Sequence, residues 1–250
     1  VSRPLPPEWL TARPVVHRAL LDYELPESSV EAIERCVHSG YAVEIDVTKT
    51  ADDRAVVFHD PSLGRLTGHK GNIADHTLAE LQKLTFRDTS FGIPSLSDVL
   101  AAIAGKAGLL IEIKNRGRPG PLEKDVAACL ENYEGPVAIQ SFSPWTLCWF
   151  RRHCPKIPRG QLACDFDTDP IPEWKKWVLS NYGMTWWTRP HFLGHHWIHL
   201  PSMATTIARR LFHMPVLAWT IKTREQAKKA LKHADNLICE AKGCPLNHTD

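Results

Sequence analysis

The feature that most constrains this chain is a recurrence: short runs of β-branched and aliphatic residues, each followed by an amphipathic stretch with helical spacing. The extended runs lie at 14–17, 43–47, 109–113, 137–140, 160–163, 196–200, 216–220 and 236–239. When a helix separates each strand from the next, neighbours pair in parallel through crossovers rather than as hairpins. Eight such units within 250 residues predict an α/β fold whose parallel strands close into a (β/α)8 TIM barrel. That length suits one large domain, 1–250, and no repeat, low-complexity tract or linker divides it.

Several helices carry readable ends. Ser95 followed by Asp98 predicts a cap, with Leu96, Val99, Leu100 and Ile103 as one apolar stripe and Gly105 at a left-handed stop. Thr223 and Gln226 predict a capping box, in which each side chain bonds the other's backbone amide. After Pro26, Val30, Ile33 and Val37 recur at helical spacing. Trp174 and Trp177 read as helical, whereas Trp186 and Trp187 fit a loop. Between His59 and Pro94 no barrel-length strand occurs, and the stretch is too long for a plain βα loop. A small cap subdomain at about 61–93, inserted after the second barrel strand, accounts for it.

Charge excludes one class of partner. Thirty basic and 28 acidic side chains leave a formal net charge of +2, which gives no electrostatic case for nucleic acid. Lys222, Arg224, Lys228, Lys229 and Lys232 read as a solvated helix face. The seven cysteines are odd in number and show no CxxC pair, so they are expected to be reduced thiols of a cytoplasmic protein. The opening VSRPLPPEWLTARP is too rich in proline and charge for a signal-peptide core, although Val1 leaves room for a removed upstream segment. No apolar run is long enough to span a bilayer, so no stable membrane insertion is expected. The chain is expected to be a monomer or homodimer.

The chemistry is written into two strands. In AVEIDVT, side chains alternate faces, so Val43, Ile45 and Val47 point one way and Glu44 and Asp46 the other. The apolar set packs against helices, which sends both carboxylates into the barrel. In LLIEIKN the same alternation turns Glu112 and Lys114 inward. Three acids gathered in one place are unfavourable unless cations or protons offset them. Two readings remain open at this stage. One is a hard divalent cation, Mg²⁺ or Ca²⁺, held by oxygen ligands; the other is a network in which Lys114 and Arg18 neutralise the acids. His17 and His59 each end an extended run, where barrel enzymes place reactive groups, and a histidine pair can act as general base and general acid. Arg18 can hold a phosphate through its planar fork. A rival zinc site at His191, His195, His196 and His199 is disfavoured, because Pro190 and Gly194 break the helix that would align His191 with His195.

The ordered set of His17-Arg18, Pro26-Glu27, Glu44-x-Asp46, His59-Asp60, IPSLSDVL, IEIK, QSF and AWTI resembles the glycerophosphodiester phosphodiesterase family over most of the chain, most weakly between 165 and 200. The resemblance implies His17 and His59 as the acid/base pair, Glu44, Asp46 and Glu112 as ligands of a divalent cation, and Arg18 and Lys114 on the phosphate. It also implies Glu27 in support of the site, and Trp219 as an aromatic wall near the substrate or as ordinary barrel packing. The implied reaction cleaves a small-molecule glycerophosphodiester to sn-glycerol 3-phosphate and an alcohol. The attacker would be the substrate's neighbouring hydroxyl, through a cyclic phosphate that water then opens. Ala19, Ser28, Lys222 and Cys239-Glu240 stand where the family commonly has Gly, Asn, Asn and Thr-Asp. The alternatives are a lysophospholipase D-like enzyme, for which the nine tryptophans offer apolar wall, and a non-catalytic phosphodiester-binding barrel.

Overall fold

The computed structural model describes residues 6–115, 117–164, 172–241 and 244. Its strands are β1 (Val15–His17), β2 (Ala42–Lys49), β3 (Ala55–Val57), β4 (Leu109–Ile113), β5 (Val137–Ser141), β6 (Arg159–Ala163), β7 (Phe192–His196), β8 (Val216–Ile221) and β9 (Asn236–Cys239). All but β3 pair in parallel in the order β2-β4-β5-β6-β7-β8-β9, and β1 joins β9 to β2, which closes an eight-stranded barrel. β3 runs antiparallel along the end of β2, with Val47 opposite Val57.

Alternation along each strand sorts the core into two parts. Val43, Ile45, Val47, Ile111 and Ile113 pack outward with Ile33, Leu96, Val99 and Ile103 from the helices Val30–His38 and Leu96–Ile103. Val15, Ala42, Leu110, Ala138, Leu217 and Ile238 fill the barrel interior with Leu10 of the helix Trp9–Ala12. Each fully buried aliphatic side chain contributes about 2 kcal/mol of transfer free energy, offset by the entropy of ordering it. The helix Val30–His38 is capped by Ser29, whose hydroxyl accepts from Ala32 N at 3.2 Å, and its last turn carries Arg35 and His38 toward the negative dipole end.

Residues 61–93 build a separate core. Leu63, Ile73, Leu81, Phe86 and Ile93 cluster with Val56 and Phe58, and the Phe58 and Phe86 rings stack with centroids 6.4 Å apart. The main-chain bond from Phe58 N to Asp46 O anchors this unit to β2, and that from Val57 N to Pro94 O ties its two ends together, both at 3.0 Å.

The structure corrects four expectations. The sixth barrel strand is Phe192–His196, and Trp197–His199 form a 3₁₀ turn rather than a strand at 196–200. Gly194 is a strand residue there: a Cβ on it would collide with Leu162 on the neighbouring strand, so glycine lets the backbones approach. Cys239 and Cys244 form a disulfide across a Cα–Cα distance of 5.2 Å, so the cysteines are not all reduced and the cysteine-based case for a cytoplasmic setting loses its basis. Thr223 caps Gln226 N at 3.2 Å, but the Gln226 side chain returns to Lys222 N at 2.7 Å instead of closing a box. Trp186 and Trp187 lie in a short helix, Thr185–Thr188. The predicted capping of Leu96–Ile103 is present: Ser95 and Asp98 bond each other's amides at 2.8 and 3.1 Å. Among the described residues no helix is long and apolar enough to cross a membrane.

Candidate active site

Strand register delivers the carboxylates. Asp46 on β2 lies beside Glu112 on β4, while His17 on β1 lies beside Glu44. One oxygen each of Glu44, Asp46 and Glu112 lies within 4.8 Å of the others, the one such group of potential metal ligands among the described residues. Glu44 and Asp46 are each 1% exposed. Burial, then the charges of Asp46 and Glu112, pushes the Glu44 carboxyl well above its ordinary range. Burial also pushes Glu112 up, against the pull of Lys114. For Asp46, burial favours the neutral form, but Lys114 and Arg18 outweigh it and hold the carboxyl below its ordinary range.

Those two cations grip Asp46 from both sides. Arg18 Nε lies 2.9 Å from Oδ2 and Lys114 Nζ 3.1 Å from Oδ1, with Lys114 also 2.8 Å from Glu112. Both readings of the sequence therefore meet in one place: ammonium and guanidinium share the acids, yet three carboxylates face two cations. Glu44 receives only long bonds, from Arg18 N at 3.3 Å and from Gln140 Nε2 at 3.5 Å. Gln140 Oε1 is buried without a hydrogen-bond partner among the described residues. An all-oxygen donor set with negative charge to spare suits a hard divalent cation.

Each histidine is steered by a carboxylate. His17 Nδ1 lies 2.9 Å from Glu240 Oε1, and its Nε2 lies 3.9 Å from Glu44. His59 Nδ1 lies 2.6 Å from Asp60 Oδ1. A carboxylate at Nδ1 places the proton there and leaves Nε2 as the working nitrogen. Burial holds His59 below the ordinary histidine range; Asp46 opposes this while Lys114 and Arg18 add to it.

A second ring of ion pairs braces the first. Arg65, from the helix Gly64–Thr67, clamps Glu27 at 2.8 and 2.9 Å and reaches Asp60 at 2.6 and 3.1 Å. Arg18 Nη1 reaches Glu27 at 3.2 Å. These bonds hold Asp60 at about 2, Arg65 being the main cause, and keep Glu27 low despite its burial. Glu240 also accepts from Tyr23 Oη at 3.3 Å and lies 3.5 Å from Lys222. The backbone here is unusual: Arg18, Ala19 and Ser28 have φ of 51°, 57° and 61°. Within this turn Arg18 N donates to Glu44 Oε2 at 3.3 Å, and Ser28 N latches to Arg18 O at 2.8 Å.

His17, His59, Glu44, Asp46, Glu112, Arg18, Lys114 and Glu27 are thus linked in one network. Trp219 is not: its ring meets Phe142 edge-on at 5.6 Å and His196 at 5.1 Å, and it packs on the inner barrel cluster. The histidine-rich segment forms no metal group among the described residues, since His195 pairs with Tyr182 Oη at 2.8 Å and His191 accepts from Arg159 N at 3.1 Å. Sequence reasoning gave no role to Asp60, Arg65, Glu240 or Gln140. Asp60 was readable from its place beside His59, and Glu240 from its departure at the last strand; Arg65 carried no local signal.

A glycerophosphodiester phosphodiesterase of Caldanaerobacter subterraneus is 35% identical over 149 residues, 55% of this chain and 61% of the relative. One of Bacillus altitudinis is 31% identical over 158 residues, 58% and 64% of the two chains. The chain thus matches less than two thirds of the length of these relatives. A phosphodiesterase from Oleispira antarctica, solved with the product sn-glycerol-3-phosphate, superposes with a TM-score of 0.74 at 22% identity over 92% of this chain and 93% of that one. A glycerophosphodiester phosphodiesterase from Thermotoga maritima gives 0.71 at 23% identity over 90% and 93%. The family profile matches residues 17–234, and this chain belongs to the glycerophosphoryl diester phosphodiesterase family.

Proposed function

We propose that the chain hydrolyses glycerophosphodiesters to sn-glycerol 3-phosphate and an alcohol, on one barrel domain capped by residues 61–93. The observation that carries this reading is the pairing of two carboxylate-steered histidines with a buried cluster of three acids. Glu44, Asp46 and Glu112 would hold Mg²⁺ or Ca²⁺, which when bound supplies positive charge to the phosphoryl oxygens. Arg18 and Lys114 would bind the non-bridging oxygens, their charges already aimed at this point by Asp46 and Glu112. His59, depressed by burial, is suited to accept a proton at Nε2 from the attacking hydroxyl. His17, backed by Glu240, is suited to donate its Nε2 proton to the departing alkoxide. Glu27 would keep Arg18 and, through Arg65, the Asp60–His59 pair in place. Trp219 would wall the substrate from the far side of the barrel.

Replacing His17 or His59 by Ala is expected to lower kcat by about 100-fold or more, the usual worth of general acid–base catalysis. Release of sn-glycerol 3-phosphate from glycerophosphocholine, with circular dichroism to verify folding, measures this. Wild-type turnover in either folded variant removes that histidine from the mechanism. Loss of turnover in EDTA and its return with Mg²⁺ or Ca²⁺ tests the cation, and turnover unaffected by EDTA refutes it.

A further inference from the structure

At the opposite end of the barrel, a cleft of about 900 Å³ opens between the helices Pro144–His153, Thr185–Thr188 and Met203–Phe212. Its residues lie in the segments before β6, β7 and β8 or, as Arg159 and Leu193 do, at the starts of β6 and β7, so it sits toward the amino-terminal strand ends, away from the carboxylate cluster. The helix Glu173–Ser180, which leads into the lining residues Asn181 and Tyr182, buries none of its residues. Leu193, Ile207, Phe212 and Met214 supply apolar wall.

The charged part of the lining is cationic: Arg151, Arg159 and Arg189 contribute to it beside the neutral Asn181, Tyr182 and Thr185, and among the described residues no carboxylate does. Arg159 is 4% exposed, and its Nη1 is buried without a hydrogen-bond partner among the described residues. Its Nε donates to Thr188 O at 3.0 Å, and Arg151 Nη1 donates to Trp187 O, so both guanidiniums are held in place by main-chain carbonyls rather than by acids. Burial and the charges of Arg151 and Arg189 bring Arg159 down to about 10, still protonated at neutral pH. A buried cation without an acid is costly, and an anionic oxygen would relieve it. The rim is apolar and open to solvent, with Met203 79% and Phe212 59% exposed.

We propose that this cleft binds a single-chain anionic amphiphile, its carboxylate or phosphate head on Arg159 and its aliphatic chain along Leu193, Ile207 and Phe212. Charge complementarity selects the head, and the volume lies within the range of small-ligand sites. The site lies outside the proposed catalytic centre and does not depend on it.

Calorimetry and tryptophan fluorescence, with Trp186 in the lining as reporter, test this on the full chain. The probes are decanoate, decyl phosphate and decanol below their aggregation limits, acetate and inorganic phosphate as heads alone, and phosphatidylglycerol vesicles. Both anionic chains should bind at one site per protein, decanol at least about tenfold more weakly, since a charge-assisted bond is lost. Acetate and phosphate alone should not bind measurably. R159Q should weaken decanoate about tenfold or more while leaving decanol unchanged. If R159Q does not fold, R189Q at the exposed rim should weaken decanoate by a few fold. A204W, which fills the cleft, should remove both chains. The proposal is overturned if decanol binds as well as decanoate, if the folded arginine variants and A204W leave decanoate unchanged, or if the protein adsorbs to vesicles without binding the monomeric chains. Self-association that closes the cleft against every probe overturns it as well.

Discussion

Glu44→Gln tests the electrostatic core of the site most directly, because its effect should change sign with the cation. At separations within 4.8 Å and an effective dielectric near 20, each ionised like-charged pair in the cluster repels by roughly 3.5 kcal/mol or more. Removing the Glu44 charge relieves two such pairs and forfeits attraction to Arg18 and Lys114, so the net relief should be about 2 kcal/mol. In EDTA, at a pH above the elevated Glu44 range, E44Q should therefore melt above wild type, by roughly 4–8 °C for a chain of this size. A divalent cation at about 100 times its Kd should stabilise wild type by about 3 kcal/mol and E44Q far less, reversing the order. Thermal unfolding by circular dichroism in EDTA and in saturating MgCl₂ or CaCl₂ reads both arms. The pH dependence follows from the same charge. The folded state holds the Glu44 proton more tightly than the unfolded chain does, so cation-free stability should fall as pH rises from the ordinary carboxyl range through the elevated one. E44Q destabilised in EDTA, or stabilised by the cation as much as wild type, refutes the idea of a net-negative cluster awaiting a cation.

Asp60→Asn should lower His59 further, because the Asp60 carboxylate favours its protonated form; the acidic limb of kcat/KM against pH then moves to lower pH, and a shift to higher pH contradicts the assignment. Ser28→Gly should stabilise the fold by about 1 kcal/mol, since Ser28 combines a left-handed backbone with a buried, unpartnered hydroxyl, and an unchanged or lower Tm disproves that strain.

Much of the site was legible because strand alternation is a short-range rule. The sequence AVEIDVT alone assigns Val43, Ile45 and Val47 to the outer core and Glu44 and Asp46 to the interior, and both assignments are met. What escaped was long-range or inverted in meaning. Gly194 reads as a breaker, yet it occupies a strand because neighbouring side chains need the space a Cβ would take. Arg65 lies 38 residues from Glu27 in an insertion without periodicity, and Glu240 lies 223 residues from His17, so no local pattern announces either bond. Ala19 and Ser28 stand where the resemblance expects Gly and Asn, residue types that tolerate positive φ, and both positions do have it. The departures thus mark real backbone demands, met here by less suitable residues.

The bond between His17 and Glu240 has a temporal consequence. The first strand of the barrel contributes one proposed acid/base group, and the residue just past the last strand orients it, so the seam where the cylinder shuts runs through the reaction centre. A growing polypeptide displays every carboxylate of the cluster long before that seam can form. On the proposed mechanism turnover would be withheld until β9 has docked, and a fragment ending before it would be inert however well its earlier units had folded.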